Sequence, residues 1–68
     1  MKRTQFEIPD PLLRQQSVSL KTTLSRTEIY RRVKRGDFPQ PIRLGRSIAW
    51  KSSEIDAWID AQPRGVAK

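Results

Sequence analysis

The chain reads as a small α+β domain: a helix, a turn and a second helix, then a two-stranded β-hairpin, then a closing helix. Three observations predict it. A Ser-x-x-Glu box beginning at Ser25 opens a run that carries Ile29 and Val33 on one face and Gly36 at its end. Two short extended runs, residues 41–44 and 47–50, flank a break at Gly45 and Arg46. Ile55, Trp58 and Ile59 then follow the i, i+3, i+4 rule before Pro63. That order of elements is the winged helix-turn-helix.

Along the chain, residues 1–11 mix charges with Pro9 and Pro11, so a loose arm is expected there rather than a helix. The domain proper is placed at residues 12–62. Leu13, Val18 and Leu20 are spaced roughly as on a helix, and a short first helix is expected over residues 12–20. The alternation of Ser17 and Ser19 leaves a strand open. Lys21, Thr22 and Thr23 form a polar, β-branched break. In the box Ser25-Arg26-Thr27-Glu28, the Ser25 hydroxyl is positioned to accept from the third helical amide while Glu28 reaches back to the Ser25 amide. The second helix therefore runs to Arg35, where Gly36 supplies the left-handed residue that ends it.

Phe38-Pro39-Gln40-Pro41 cannot continue a helix and should run extended, with Phe38 against the core. For the hairpin, a two-residue turn would pair Leu44 with Ser47. A three-residue loop would instead set Leu44 opposite Ile48 and Ile42 opposite Trp50, and burial of one apolar face favours this second register. Ser52 or Ser53 is expected to cap the last helix, and residues 63–68 are expected to fray.

Composition narrows the function. Sixty-eight residues support one core, and the absence of Cys and His removes disulfides, zinc sites and thiol or imidazole catalysis together. The glycines stand singly at turns, so no phosphate-cradling loop is present. Glu54, Asp56 and Asp60 resemble an acidic constellation, but near the start and on the exposed side of a helix they suit the helix dipole and solvation. An enzyme is not expected, nor a cofactor or small-molecule ligand. No apolar run approaches the roughly 18 residues of a membrane span and no signal-like start is present, so a cytoplasmic protein is expected.

Charge points to a partner. Fourteen Lys and Arg against seven Asp and Glu give +7 and a pI near 10.9, which calls for a polyanion. Between Arg26 and Lys51 eight basic residues face only Glu28 and Asp37, so this segment holds +6 of the net charge. Thr27, Arg31, Lys34 and Arg35 project from the side of the second helix opposite Ile29 and Val33. Exposed helix faces are often charged, but from Arg31 to Arg35 every charge is positive with no acidic partner at i, i+4 to compensate. Such a helix fits a major groove, where an arginine offers two donors to guanine. Arg43 and Arg46 on the hairpin would be ordinary turn residues alone; beside a basic helix they would reach phosphates or a minor groove. Tyr30 is equally suited to donate to a phosphate or to cover the core, and Trp50 and Trp58 belong to apolar faces.

The ordered blocks Leu24-Ser25-Arg26-Thr27, Ile29-Tyr30-Arg31, Gly36-Asp37-Phe38-Pro39, Pro41-Ile42-Arg43-Leu44-Gly45, Ile48-Ala49-Trp50 and Glu54-Ile55-Asp56-Ala57-Trp58 resemble the AlpA-type phage regulators. The resemblance extends over about residues 12–59. It implies a MerR-like winged helix acting on prophage or genomic-island DNA, as a transcription regulator or as an excisionase that assists a separate integrase without cutting DNA itself. The family's reading helix would fall on Ser25 to Arg35, with Arg26, Thr27, Tyr30 and Arg31 as contacts, and its wing on residues 43–47, which includes Ser47. The glycine that often precedes the Leu-Ser pair is Thr23 here.

The expected partner is double-stranded DNA, bound through Ser25, Arg26, Thr27, Tyr30, Arg31, Lys34, Arg35, Arg43, Arg46 and Ser47. So small a chain should need several copies assembled on adjacent DNA sites, or a partner such as an integrase, for useful affinity. The competing readings are a basic RNA-binding module, which would expose aromatics for stacking, and an adaptor for an acidic protein.

Overall fold

Six elements run along the chain in the order β1 (Leu12–Leu13), α1 (Gln15–Thr22), α2 (Arg26–Arg35), β2 (Ile42–Leu44), β3 (Ser47–Lys51) and α3 (Ser52–Asp60), in a computed structural model that describes residues 10–66. The strands form one antiparallel sheet in the order β1-β3-β2. Three helices on a small sheet with a β2–β3 hairpin make the expected winged helix-turn-helix.

The core is apolar throughout. Val18, Ile29, Phe38, Trp50 and Ile55 meet at its centre, one from each helix, one from β3 and one from the loop after α2, and Leu13, Leu24, Val33, Ile48, Trp58 and Ile59 pack around them. Both indoles also satisfy their N–H groups. Trp50 Nε1 donates to the Pro39 carbonyl at 2.8 Å and Trp58 Nε1 to the Asp37 carbonyl at 3.0 Å, so the loop after α2 is pinned to β3 and α3 at once. Phe38 lies edge-on to both rings, with centroids 6.4 and 4.8 Å away.

Four expectations are corrected. The first helix starts later and ends later than periodicity implied: Leu12 and Leu13 form a strand, α1 continues through Thr22, and Leu20 is 79% exposed instead of joining the core. The sheet consequently has three strands and not two. The hairpin takes the other register, with Leu44 opposite Ser47, Arg43 opposite Ile48 and Ile42 opposite Ala49. Its turn is the two-residue Gly45-Arg46, where Gly45 at φ +65 precedes a residue of ordinary φ, the pattern of a type II′ turn. The two-residue turn fixes this register, and on the other edge of β3 Leu13 of β1 pairs with Trp50 and packs against the core. Ile42 and Leu44 are left on the outer face, where Leu44 is 48% exposed.

The fourth correction concerns α3. Neither Ser52 nor Ser53 caps it; Lys51 is the N-cap residue and contributes no side-chain bond. The free amides are served by the chain start instead: Ser52 N–H donates to the Pro11 carbonyl at 2.8 Å and Ser53 N–H to Asp10 Oδ1 at 2.9 Å. The Ser53 hydroxyl donates to Asp10 Oδ2 as well. Of the expected N-terminal arm, residues 1–9 lie outside the described residues, while Asp10 and Pro11 are tied to α3 by these bonds. Residues 63–66 carry neither helix nor strand, and the last two residues of the expected tail lie outside the described residues.

Candidate nucleic-acid interface

The site is built on α2. Ser25 enters it with extended backbone, and its Oγ accepts from the Glu28 amide at 3.1 Å, as the first half of a capping box requires. The second half is replaced. Glu28 turns along the helix, 3.2 Å from Arg31 Nη1 and 3.0 Å from Arg32 Nε, the latter an ion pair not aligned as a hydrogen bond. The expectation that the basic run lacks acidic partners is thus corrected: Glu28 serves two arginines at i+3 and i+4, and Arg35 pairs with Asp37 at 2.9 Å. Spacing from the first turn could have shown the Glu28 pairs.

Burial divides α2 cleanly. Ile29 is buried and Glu28, Arg32 and Val33 are half-buried, whereas Arg26, Thr27, Tyr30, Arg31, Lys34 and Arg35 are exposed. Arg26, Tyr30 and Lys34 form one stripe at i, i+4, i+8, with Thr27 and Arg31 beside it. Gly36 at φ +85 closes the helix, donating its N–H to the Arg32 and Val33 carbonyls at 3.0 and 3.1 Å.

The N-terminal end of this stripe borders a cleft of about 310 Å³ lined by Arg14, Gln15, Gln16, Arg26, Tyr30, Ser47 and Ile48. Here three predicted residues, Arg26, Tyr30 and Ser47, come together from helix and hairpin. The Arg26 guanidinium lies 5.9 Å from the centroid of the Tyr30 ring, and Tyr30 is 38% exposed beside it. Arg43 and Arg46 are exposed on the hairpin, Arg46 in the turn itself. Lys34 and Arg35 sit at the far end of α2, outside the cleft. Ser25 is committed to capping.

Sequence reasoning missed Arg14, Gln15 and Gln16. They precede α2 by ten residues or more, and nothing local marks them; only the packing of α1 on α2 and β3 brings them to the same cleft.

Of the other acids among the described residues, Asp10 accepts from Ser53 and the rest lie on α3. Asp56 bonds Lys21 at 2.5 Å, and Glu54 and Asp60 are exposed on α3. Among the described residues, Arg14, Arg26, Lys34, Arg43 and Arg46 have no acidic group within ion-pair distance. The groups bordering the cleft, on α2 and on the hairpin are therefore among those with charge available to an anionic partner, as are the exposed Lys51 and Arg64. No group of His, Cys, Asp or Glu among the described residues is arranged to hold a metal, and no helix among them is long and apolar enough to cross a membrane.

Comparison with known proteins gives two matches. The family model described as the prophage CP4-57 regulatory protein (AlpA) matches residues 11–63. An uncharacterized protein, ORF88 of Enterobacteria phage P4, is 40% identical over 43 residues, which is 62% of this chain and 49% of that protein. The match spans about half the length of this phage relative. No solved structure matches the chain.

Proposed function

Since the chain belongs to the AlpA family of prophage regulatory proteins, we propose that it binds double-stranded DNA of a prophage or genomic island with sequence preference, as a regulator of transcription or as an excisionase. The observation that carries this reading is the division of α2. Its six exposed residues offer two arginines at the start and middle, a tyrosine, a threonine and two terminal cations, with Thr27, Arg31, Lys34 and Arg35 on the side away from Ile29 in the core and Arg26 and Tyr30 flanking it. A helix so presented enters the major groove with Arg26, Thr27, Tyr30 and Arg31 towards base edges and backbone. The β2–β3 hairpin then carries Arg43 and Arg46 to the adjacent backbone or minor groove. No cofactor takes part.

The aromatic residues argue against single-stranded RNA. Phe38 and Trp50 are buried and Trp58 is half-buried with its N–H bonded, so Tyr30 is the exposed aromatic among the described residues. One ring makes a poor stacking platform for successive bases.

Duplex DNA competed against single-stranded RNA at matched salt tests the proposal; RNA winning, or neither binding, overturns it in favour of the RNA module or the acidic-protein adaptor. Footprinting on DNA flanking the gene then finds the site. Excisive recombination with a cognate integrase, scored beside a promoter reporter, separates the two roles. A chain this small contacts few phosphates, so occupancy is expected to build through copies on neighbouring sites.

A further inference from the structure

We propose that the cleft between the start of α1, the first half of α2 and the start of β3 seats a single sugar–phosphate unit of the DNA backbone, which adds Arg14 and Gln16 to the binding surface. This rests on duplex DNA being the partner. With α2 in the major groove and the hairpin at the adjacent minor groove, the phosphate strand separating those grooves has to pass between helix and hairpin. The cleft is that passage, lined by Arg26 and Tyr30 of α2, by Ser47 and Ile48 of β3 and by the start of α1.

Its chemistry is that of an anion site. Arg14 and Arg26 bring guanidinium groups from two different elements, and no carboxylate lines the cleft. Neither arginine has an acidic partner among the described residues. The hydroxyls of Tyr30 and Ser47 and the side-chain amide of Gln16 likewise bond to no described residue, whereas Gln15 is engaged with Ser19 at 2.6 Å. Stacking over Tyr30 holds Arg26 in place in advance. Arg14 is the N-cap residue of α1 without capping it through its side chain, and no acid occupies the first turn, so backbone N–H groups there add to the donors supplied by the side chains. A small-molecule pocket would be mostly apolar and would enclose its ligand, which this open, cationic cleft does not.

The test uses the full chain and a random-sequence duplex, with Arg14→Gln and Gln16→Glu. Arg14→Gln should bind about tenfold more weakly, and its log–log salt slope should shrink by about 0.9, the value of one phosphate contact. Gln16→Glu places a carboxylate in the cleft but also in the first turn of α1, where the helix dipole favours it. It should therefore melt no lower than the parent and yet bind about tenfold more weakly, a combination that a structural defect does not produce. Should Arg14→Gln unfold, Gln16→Glu decides alone.

If the parent binds duplex and both folded variants match it in affinity and slope, the phosphate seat is wrong while DNA binding stands. If the parent does not bind duplex, the reading beneath fails and takes this one with it. Inorganic phosphate, titrated alone and followed by the amide resonances of Gln15 and Gln16, is the remaining arm. Saturable micromolar binding, with DNA affinity unmoved in both variants, would assign the cleft to free phosphate and overturn the backbone assignment.

Discussion

Thr23 ends α1 at φ +64, in the left-handed region where a β-carbon crowds the following carbonyl at a cost of about 1–2 kcal/mol. A branched side chain suffers most there, and the bonds of its N–H to Ser19 and of its hydroxyl to the Thr22 carbonyl offset the crowding only in part. Thr23→Gly relieves the crowding and gives back some of the gain through a freer unfolded chain. A net stabilisation of about 1 kcal/mol is expected, raising Tm by roughly 4–8 °C in a domain of this size. An unchanged or lower Tm would show that the hydroxyl bond outweighs the strain. At the same scale, Arg31 and Arg46 divide the binding work. The exposed Arg31–Glu28 pair is worth only about 0.2–1 kcal/mol, so exchanging the carboxylate for a base edge costs little. Arg31→Ala should lose about 1–3 kcal/mol on the preferred site and less on random DNA. Arg46→Ala should weaken both alike; the reverse pattern in anisotropy titrations would move base reading to the hairpin.

Among the elements, α3 depends most on a distant residue. Asp10, donated to by the Ser53 amide first and then by the Ser53 hydroxyl, with Lys51 nearby, has its carboxyl pKa held below the ordinary 3.8. Because the folded value is the lower one, the stabilisation is complete above the unfolded pKa and is lost as pH falls through the folded pKa. Asp10→Asn should therefore melt below the parent at neutral pH, and the gap should close once the solution is acid enough to protonate Asp10 in the folded chain. A gap independent of pH would reject the charged cap. The expected serine cap was legible as a residue type but not as a role: Ser53 sits at the helix start yet donates to Asp10 across 43 positions of sequence. In contrast, α2 follows its local signals at both ends, with Ser25 and Gly36 in their expected places.

For the molecule as a whole, the balance between a thin core and a concentrated charge sets two expectations. Trp58 is half-buried against Phe38, receives Arg32 at 5.7 Å over its ring and bonds the Asp37 carbonyl. Trp58→Ala should cost about 3 kcal/mol, the low end for a large aromatic, out of a total stability near 5 kcal/mol for so small a domain. Circular dichroism should show the loss of structure on heating well below the parent, with DNA affinity kept at temperatures where the variant is folded. A variant that melts like the parent but does not bind would instead place α3 on the DNA, against the repulsion of Glu54 and Asp60. Binding itself should weaken with salt at a log–log slope of about −4, for roughly four or five phosphates neutralised. A slope near zero would remove the electrostatic basis of the interface.

What the sequence by itself determined lies within a few residues of each signal: the Ser25 cap, the Gly36 stop, the side of α2 that carries Thr27, Arg31, Lys34 and Arg35, the turn at Gly45, the apolar face of α3 and the positive segment between Arg26 and Lys51. Helical periodicity is local, so Thr27, Arg31, Lys34 and Arg35 were identifiable as exposed without a fold, whereas Arg26 and Tyr30, which flank the apolar side, were not. Tertiary structure alone decided which groups meet. Leu13 joins the sheet as a third strand opposite Trp50, Asp10 caps a helix at the other end of the chain, and Arg14 arrives beside Arg26. The physical reason is that each of these rests on a competition among partners of similar chemistry. Two hairpin registers are open to the same residues around Gly45, and Ser52, Ser53 and Asp10 are all acceptors for one set of amides. Differences of about a kcal/mol between such candidates are settled by where the whole chain can place them, not by what any short stretch prefers.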